Sequence, residues 1–425
     1  MNYIKRYISI VWEKGIIHIF MGTFLVKLVA FLGSIFLVRV LNKQEYGILG
    51  YLENIYSYVF VVAGMGVSNA ILRYVVLGRT LQEKYNFYYY ACKKGAIWNC
   101  FMVLLVVLIS GFYPHPKAYQ EYVWLLNILI LAVPFQYTTE NVLCNERAMF
   151  ANQRYALFSL VLSSSIIVTK IISGKTVGLV GVVFSQTFLY VALALIFSKL
   201  TKVQYYEGIL PEKIKKDIRK DINIYSLQYM ITNGLWVIFM LNDTFLLGRL
   251  TIGPEVIADY KVAYAIPGSV SLISTAIGIF VTPYFVKNER NQTWIKKNFI
   301  LTYIITLLFV GALCLCIALA AEPIIIVLFG RQYLNTIKTM RFLLLASFFN
   351  CGMRYTTANI LAAMGQVKYN MAVSVFGVIL QLVINIKMIP VYGTIGVAVT
   401  SCIIYVFMAI SLLGVFIKHY YLEHD

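Results

Sequence analysis

IIHIFMGTFLVKLVAFLGSIFLVRV, residues 16–40, carries only two formal charges, Lys27 and Arg39. A run of this length crosses the ~30 Å hydrocarbon core, which takes about 20 apolar residues. No water is available there for backbone N–H and C=O groups, so the run must be helical. Working outward, similar runs follow at 46–67, 92–112, 122–142, 155–173, 177–198, 222–247, 257–282, 299–320, 342–360, 369–389 and 394–417. The stretch 322–329 is apolar but too short to span alone. Of the 425 residues, 60% are hydrophobic and only 13% charged, against the roughly 25% charge that covers a soluble surface. The pattern predicts an all-α polytopic membrane protein of about twelve transmembrane helices.

The net charge of +18 would suggest nucleic acid in a soluble domain. Here Lys and Arg gather in the N-terminus, in alternate loops and in the C-terminus, which places both termini in the cytoplasm and excludes a nucleic-acid partner. The basic start, with Lys5 and Arg6, has no small-residue cleavage site after a short apolar core, so no cleaved signal is expected. Cys314 and Cys316 point to nearly opposite sides of a helix, and His18, His115, His419 and His424 are scattered. No metal site is expected. Nor is there a phosphate-cradling Gly loop or a nucleophile–base grouping. The loops are short, leaving no room for an external catalytic domain. Composition and motifs thus point to a transporter without cofactor rather than an enzyme such as a membrane glycosyl polymerase.

The chain repeats itself. Phe36-Leu37-Val38-Arg39-Val40-Leu41 matches Phe245-Leu246-Leu247-Gly248-Arg249-Leu250, and Glu45 matches Glu255. Downstream, Tyr119 matches Tyr333, and Leu131, Ala132 and Phe135 match Leu345, Ala346 and Phe349. Arg154-Tyr155 matches Lys368-Tyr369, and Gly178, Gly181, Val182, Tyr190 and Ala194 match Gly393, Gly396, Val397, Tyr405 and Ala409. An ordered series at near-constant offset is an internal duplication. Each half holds an even number of spans, so the two six-helix repeats are parallel, an arrangement transporters use for alternating access. The division expected is a bundle at 1–198, a basic cytoplasmic linker at 199–221 with a short helix after Pro211, and a bundle at 222–425.

The stretch Leu41-Asn42-Lys43-Gln44-Glu45-Tyr46-Gly47, followed by Gly64-Met65-Gly66 and residues 70–73, resembles the first two spans of Wzx-type O-antigen repeat-unit flippases. These belong to the multidrug/oligosaccharidyl-lipid/polysaccharide exporter superfamily. Val327-Leu328-Phe329-Gly330-Arg331-Gln332-Tyr333 looks like that family's entry to span ten. The resemblance covers nearly the whole chain and implies movement of an undecaprenyl-diphosphate-linked oligosaccharide across a bacterial cytoplasmic (inner) membrane, for surface polysaccharide such as lipopolysaccharide. Its implied partners are that lipid-linked substrate, membrane lipids, a coupling cation (H⁺ or Na⁺) and polysaccharide polymerase machinery. Lipid II flippases of the superfamily tend to carry two further spans. The alternative within the superfamily is a cation-coupled exporter of drugs or small amphiphiles.

Such a substrate asks for cations toward the diphosphate and polar or aromatic groups toward the sugars. Ionisable residues within spans are costly and are the first candidates. Lys27, mid-span, is expected to face the cavity and meet the diphosphate. Arg341 and Arg354 of span ten, with Asn350 one turn before Arg354, are the second cationic set, and Tyr56 is a sugar-path candidate. Asp243 and Glu53 are candidates for ion coupling, and Glu140, which aligns with Arg354, is a gating candidate. Lys170, Lys261 and Lys387 are expected to snorkel, and the Tyr-rich stretch 85–90 to sit in the interfacial belt.

Overall fold

The computed structural model describes residues 16–422, which are helical almost throughout and contain no strand. Two compact units form, Met1–Leu241 and Asn242–Asp425.

In the first unit α1 (Ile16–Val40) lies along α7 (Asn152–Val177). Gly22 and Gly33 allow the close approach: a Cβ at either would stand 2.7 Å from Ala156 or 2.3 Å from Ile167. Then α2 (Lys43–Val61) opens with a capping box. Asn42 Oδ1 accepts the Glu45 N–H at 2.8 Å and Glu45 Oε2 accepts the Asn42 N–H at 3.2 Å, filling donors that a helix start leaves unpaired. The motif that carries the family resemblance is thus a helix cap.

The second span is broken. Gly64, Met65 and Gly66 take φ of 58°, 52° and 72°, and α3 (Val67–Leu77) leaves at a bend of 46°. A break strands backbone groups in a place without water. Two consecutive side chains of α4 (Leu81–Ser110) satisfy them. Trp98 Nε1 donates to the Val62 carbonyl at 2.8 Å, and Asn99 Oδ1 accepts the Gly64 N–H at 2.7 Å. Tyr137 fills the notch, its ring against Gly64 and Gly95 and its hydroxyl donating to the Ala91 carbonyl at 2.9 Å. Tyr137 belongs to α6 (Val133–Ala148), which follows the short α5 (Val123–Ile130).

The polar stretch 199–221 is not a free connector. Helix α8 (Leu179–Tyr205) runs well into it, and α9 (Lys216–Leu250) begins within it. Between them Tyr206 is fully buried beside the rings of Tyr85 and Tyr88 and donates to Asn145 at 2.8 Å. Gln82 and Asn86 of α4 hold the Leu210 carbonyl and the Glu212 N–H. Tyr85 and Tyr88 are therefore core residues rather than belt residues. The unit boundary falls inside α9, at Leu241, because the first part of that helix packs into the first unit. Gly66 lies against its Ser226 and Met230, and its Asn223 accepts from Tyr90 and Lys94.

The second unit contains α10 (Glu255–Ser269), α11 (Ser271–Lys287), α12 (Gln292–Leu319), the short α13 (Ala321–Leu328), α14 (Ile337–Ser347) and α15 (Tyr355–Ala363). The stretch expected to be too short to span is α13. A π-helical segment, Phe348–Arg354, joins α14 to α15. Last comes α16 (Val367–Ile417), broken at Gly393.

The duplication is visible in the backbone. Gly178 (φ 71°, ψ −149°) and Gly393 (φ 54°, ψ −128°) share one unusual conformation. Three residues on, a Cβ at Gly181 would meet the Ser173 carbonyl oxygen at 2.6 Å, and one at Gly396 the Met388 carbonyl oxygen at 2.6 Å. Phe150 and Gly365 each stand two residues before the helix that follows, α7 and α16, and both are left-handed, at 58° and 77°. Taking α2 with α3, α5 with α6, α10 with α11, and α14 with α15 as single spans, and α16 as two, the described residues make twelve spans, six in each repeat.

Candidate functional site

The best-organised polar site in the second unit centres on Asp243. It is 7% exposed and sits in α9, flanked by Asn242 and Thr244 within a largely apolar stretch. Tyr260 of α10 donates to Oδ2 at 2.9 Å. From α16, Gln381 Nε2 and Asn385 Nδ2 donate to Oδ1 at 2.9 and 2.7 Å. The two amides are four residues apart, on one helix face. All the partners are neutral, and among the described residues no cation stands within ion-pair distance of Asp243. The amide oxygens of Gln381 and Asn385 are buried and accept no hydrogen bond. Buried acceptors are normally satisfied. A carboxylate beside two such oxygens offers a site for a proton or a small hard cation, whose ligands are oxygens. The sequence singles out Asp243 as a candidate but not its partners. Two amides four apart in the apolar run VILQLVINIKMIP were the available signal.

The other candidates fall elsewhere. Glu53 is paired within the first unit to Lys170, Nζ to Oε1 at 2.7 Å. Lys170 therefore does not snorkel; it reaches across to another helix of its own bundle. Tyr56 is buried, donates to Gln136 and stacks along Phe60. Glu140, one turn after Gln136 on α6, lines a pocket beside the broken second span. Lys27 is exposed and, among the described residues, has no carboxylate within ion-pair distance. It lies about 140° round α1 from Gly22, at 100° per residue, away from the seam with α7. Arg341 is exposed, and its Nε donates to the Ala318 carbonyl in the last turn of α12 at 3.2 Å. Arg354 is buried in the π-helical segment and donates to Asn350 at 2.9 Å. Such segments are frequent at functional sites. Glu140 and Arg354 belong to different units.

One network had no sequence signal beyond its charges. Glu146, fully buried at the end of α6, accepts from Arg154 Nε at 3.0 Å, Thr201 at 2.8 Å and Tyr205 at 2.9 Å. The Arg154 guanidinium also lies over the Phe158 and Tyr205 rings at 5.3 and 5.4 Å. This ties the end of α6 and the start of α7 to the end of α8.

Residues 12–289, more than half of the chain, match the family described as polysaccharide biosynthesis protein. The chain belongs to that family. An uncharacterized membrane protein of Methanocaldococcus jannaschii is 21% identical over 447 residues, covering 96% of this chain and 85% of that one. Among solved structures, the lipid II flippase MurJ in an inward closed conformation aligns at a TM-score of 0.73 and 14% identity, over 95% of this chain and 89% of that one. An inward-facing multidrug resistance MATE family transporter of the MOP superfamily aligns at 0.72 and 14%, over 94% and 96%. At such identities these likenesses establish the fold: this member of the polysaccharide biosynthesis family is a multi-pass membrane protein that shares the helical fold of those two structures.

Proposed function

We propose that the chain is a flippase moving an undecaprenyl-diphosphate-linked oligosaccharide between the leaflets of a bacterial cytoplasmic membrane, both termini being cytoplasmic. The observation that carries this reading is the polysaccharide-family match over residues 12–289, on a fold shared with a lipid II flippase. The physics is consistent with it. A diphosphate needs cations at depth, and Lys27 is an exposed mid-span ammonium without a carboxylate partner among the described residues; Arg341 and Arg354 are the candidates in the second repeat. The two repeats alternate access, and the Asp243 site supplies the coupling by taking up H⁺ or Na⁺.

The test is reconstitution of the full chain in proteoliposomes with fluorescent undecaprenyl-diphosphate-N-acetylglucosamine, the label being quenched from outside. Time-dependent equilibration between leaflets, faster under a cation gradient, is expected. Failure to move the lipid, together with gradient-driven ethidium export, would replace this reading with a multidrug exporter. The near-equal likeness to a MATE transporter makes that the second reading.

A further inference from the structure

The break in the second span leaves a cavity of about 100 Å³ in the first unit, bounded by the broken segment, α6 and α9. Its polar walls are Ser68 and Asn69 at the start of α3, Glu140 on α6, and Asn233 on α9; Tyr137 and Tyr229 supply aromatic surface. No Lys, Arg or His lines it, and Glu140 has no cation within ion-pair distance among the described residues. Asn233 uses its Nδ2 on the Tyr229 carbonyl of its own helix at 3.0 Å, and its Oδ1 accepts no hydrogen bond among the described residues. The Asn69 amide makes no hydrogen bond among the described residues.

Three ligand chemistries are separable here. A phosphate is disfavoured, because the only charge in the walls is the Glu140 carboxylate, which repels it, and no cation lines the cavity to offset that repulsion. A bare metal cation asks for a close cage of oxygens at about 2.3–2.6 Å for calcium or tighter for magnesium; this cavity is wider and flanked by rings. A lipophilic organic cation would use Glu140 and the rings but leave the Asn69 amide and the Asn233 carbonyl oxygen without a partner, and covering unpaired polar groups with apolar surface is unfavourable. A sugar edge uses all of them. Its hydroxyls donate to a carboxylate, exchange donor and acceptor with primary amides, and its C–H face packs on an aromatic ring.

We propose that this cavity is a monosaccharide subsite. Glu140, Asn69 and Asn233 take the hydroxyls of one sugar of a lipid-linked glycan, with the Tyr229 ring against its apolar face. This rests on the flippase reading and places sugar and diphosphate recognition on different walls: hydroxyls at the broken span, phosphate at cationic residues elsewhere.

The probe is a panel of methyl glycosides (glucoside, galactoside, N-acetylglucosaminide, rhamnoside) added to the full chain in nanodiscs, read by saturation-transfer NMR. At least one glycoside should receive transfer. Glu140→Gln and Asn69→Ala should each weaken its binding about tenfold, the loss of a charge-assisted or equivalent hydrogen bond. Tryptophan fluorescence of each variant reports whether the break, which Trp98 contacts, is intact. No transfer from any glycoside overturns the subsite. So does displacement of the glycoside by tetraphenylphosphonium with the same Glu140 dependence. In the proteoliposome assay, equal flipping by the Asn69→Ala/Glu140→Gln/Asn233→Ala variant and the wild type removes the subsite and leaves the flippase reading standing. Absence of flipping by the wild type removes the flippase reading itself.

Discussion

Replacing Asp243 by leucine measures how far the second unit is organised around one carboxylate. Three buried donors, Tyr260 Oη, Gln381 Nε2 and Asn385 Nδ2, converge on it at 2.9, 2.9 and 2.7 Å. The three donor residues are each at most 6% exposed, so water cannot replace the lost acceptor. Each stranded donor costs about 1–3 kcal/mol, about 3–9 kcal/mol for the three. That is comparable with the ~5–15 kcal/mol net stability of a typical protein, so Asp243→Leu should fail to accumulate or should melt far below the wild type. Asp243→Asn keeps one acceptor oxygen and turns an NH₂ toward a donor, which should cost about 1–3 kcal/mol. The quadruple variant Asp243→Leu, Tyr260→Phe, Gln381→Leu, Asn385→Leu removes every partner at once. It should recover most of the loss, as whole buried polar clusters replaced by apolar residues do. The assay is heating followed by size-exclusion of the detergent-solubilised protein, repeated at 1 and 100 mM NaCl with choline balancing ionic strength. Sodium should raise the wild-type midpoint by the linkage relation and leave Asp243→Asn and the quadruple variant unmoved. A stable Asp243→Leu would refute the carboxylate as an organising centre. An unchanged sodium response in Asp243→Asn would refute this residue as a sodium site.

Three further predictions follow from the first unit. Gly64→Ala meets Tyr137 at 2.0 Å in a left-handed conformation with φ 58°; overpacking of about 1–3 kcal/mol and left-handed strain of about 1–2 kcal/mol should lower the melting midpoint, and Tyr137→Ala in the same chain should relieve the steric part, read by the same heating assay. Glu146→Ala leaves Arg154, Thr201 and Tyr205 without their acceptor and should cost about 3–5 kcal/mol, most of it recovered by adding Arg154→Leu; a loss as large in the double variant contradicts the ion-pair account. Lys27→Ala removes an exposed side chain and should shift stability by no more than about 0.5 kcal/mol while abolishing movement of the diphosphate lipid in proteoliposomes; wild-type movement by the variant would dismiss the phosphate role.

Helix existence was legible because the bilayer forces it: a long apolar run has one way to satisfy its backbone. The duplication was legible through glycines, since Gly178 and Gly393 hold a conformation with positive φ and Gly181 and Gly396 admit a carbonyl at 2.6 Å where a Cβ would collide. Side-chain partners were less accessible. Glu53 and Lys170 are 117 residues apart, and nothing in either local stretch says that they meet. Lys170 near a span end reads equally well as a snorkelling residue. The Tyr-rich stretch reads as interfacial for the same reason, although Tyr85 and Tyr88 are buried by Tyr206 from a segment whose charges suggested a solvated linker. Local composition reports solvent preference; burial there is decided by a chain segment more than a hundred residues away.

The two repeats differ in charge at equivalent positions. Asn385, a donor to Asp243, aligns at an offset of 215 with Lys170, the partner of Glu53. At equivalent places the second repeat has a neutral amide and the first an ammonium. A carboxylate with an internal Lys at 2.7 Å is already neutralised, and an external cation would have to displace that ammonium to bind. A carboxylate held only by neutral donors carries its charge uncompensated, so an external proton or sodium ion gains the full interaction. Exchanging the two solutions tests this. Asn385→Lys should give Asp243 the internal cation that Glu53 has, making the second unit insensitive to sodium while keeping it folded. Retention of sodium-dependent stabilisation in that variant would show that the asymmetry between the repeats is incidental to cation uptake.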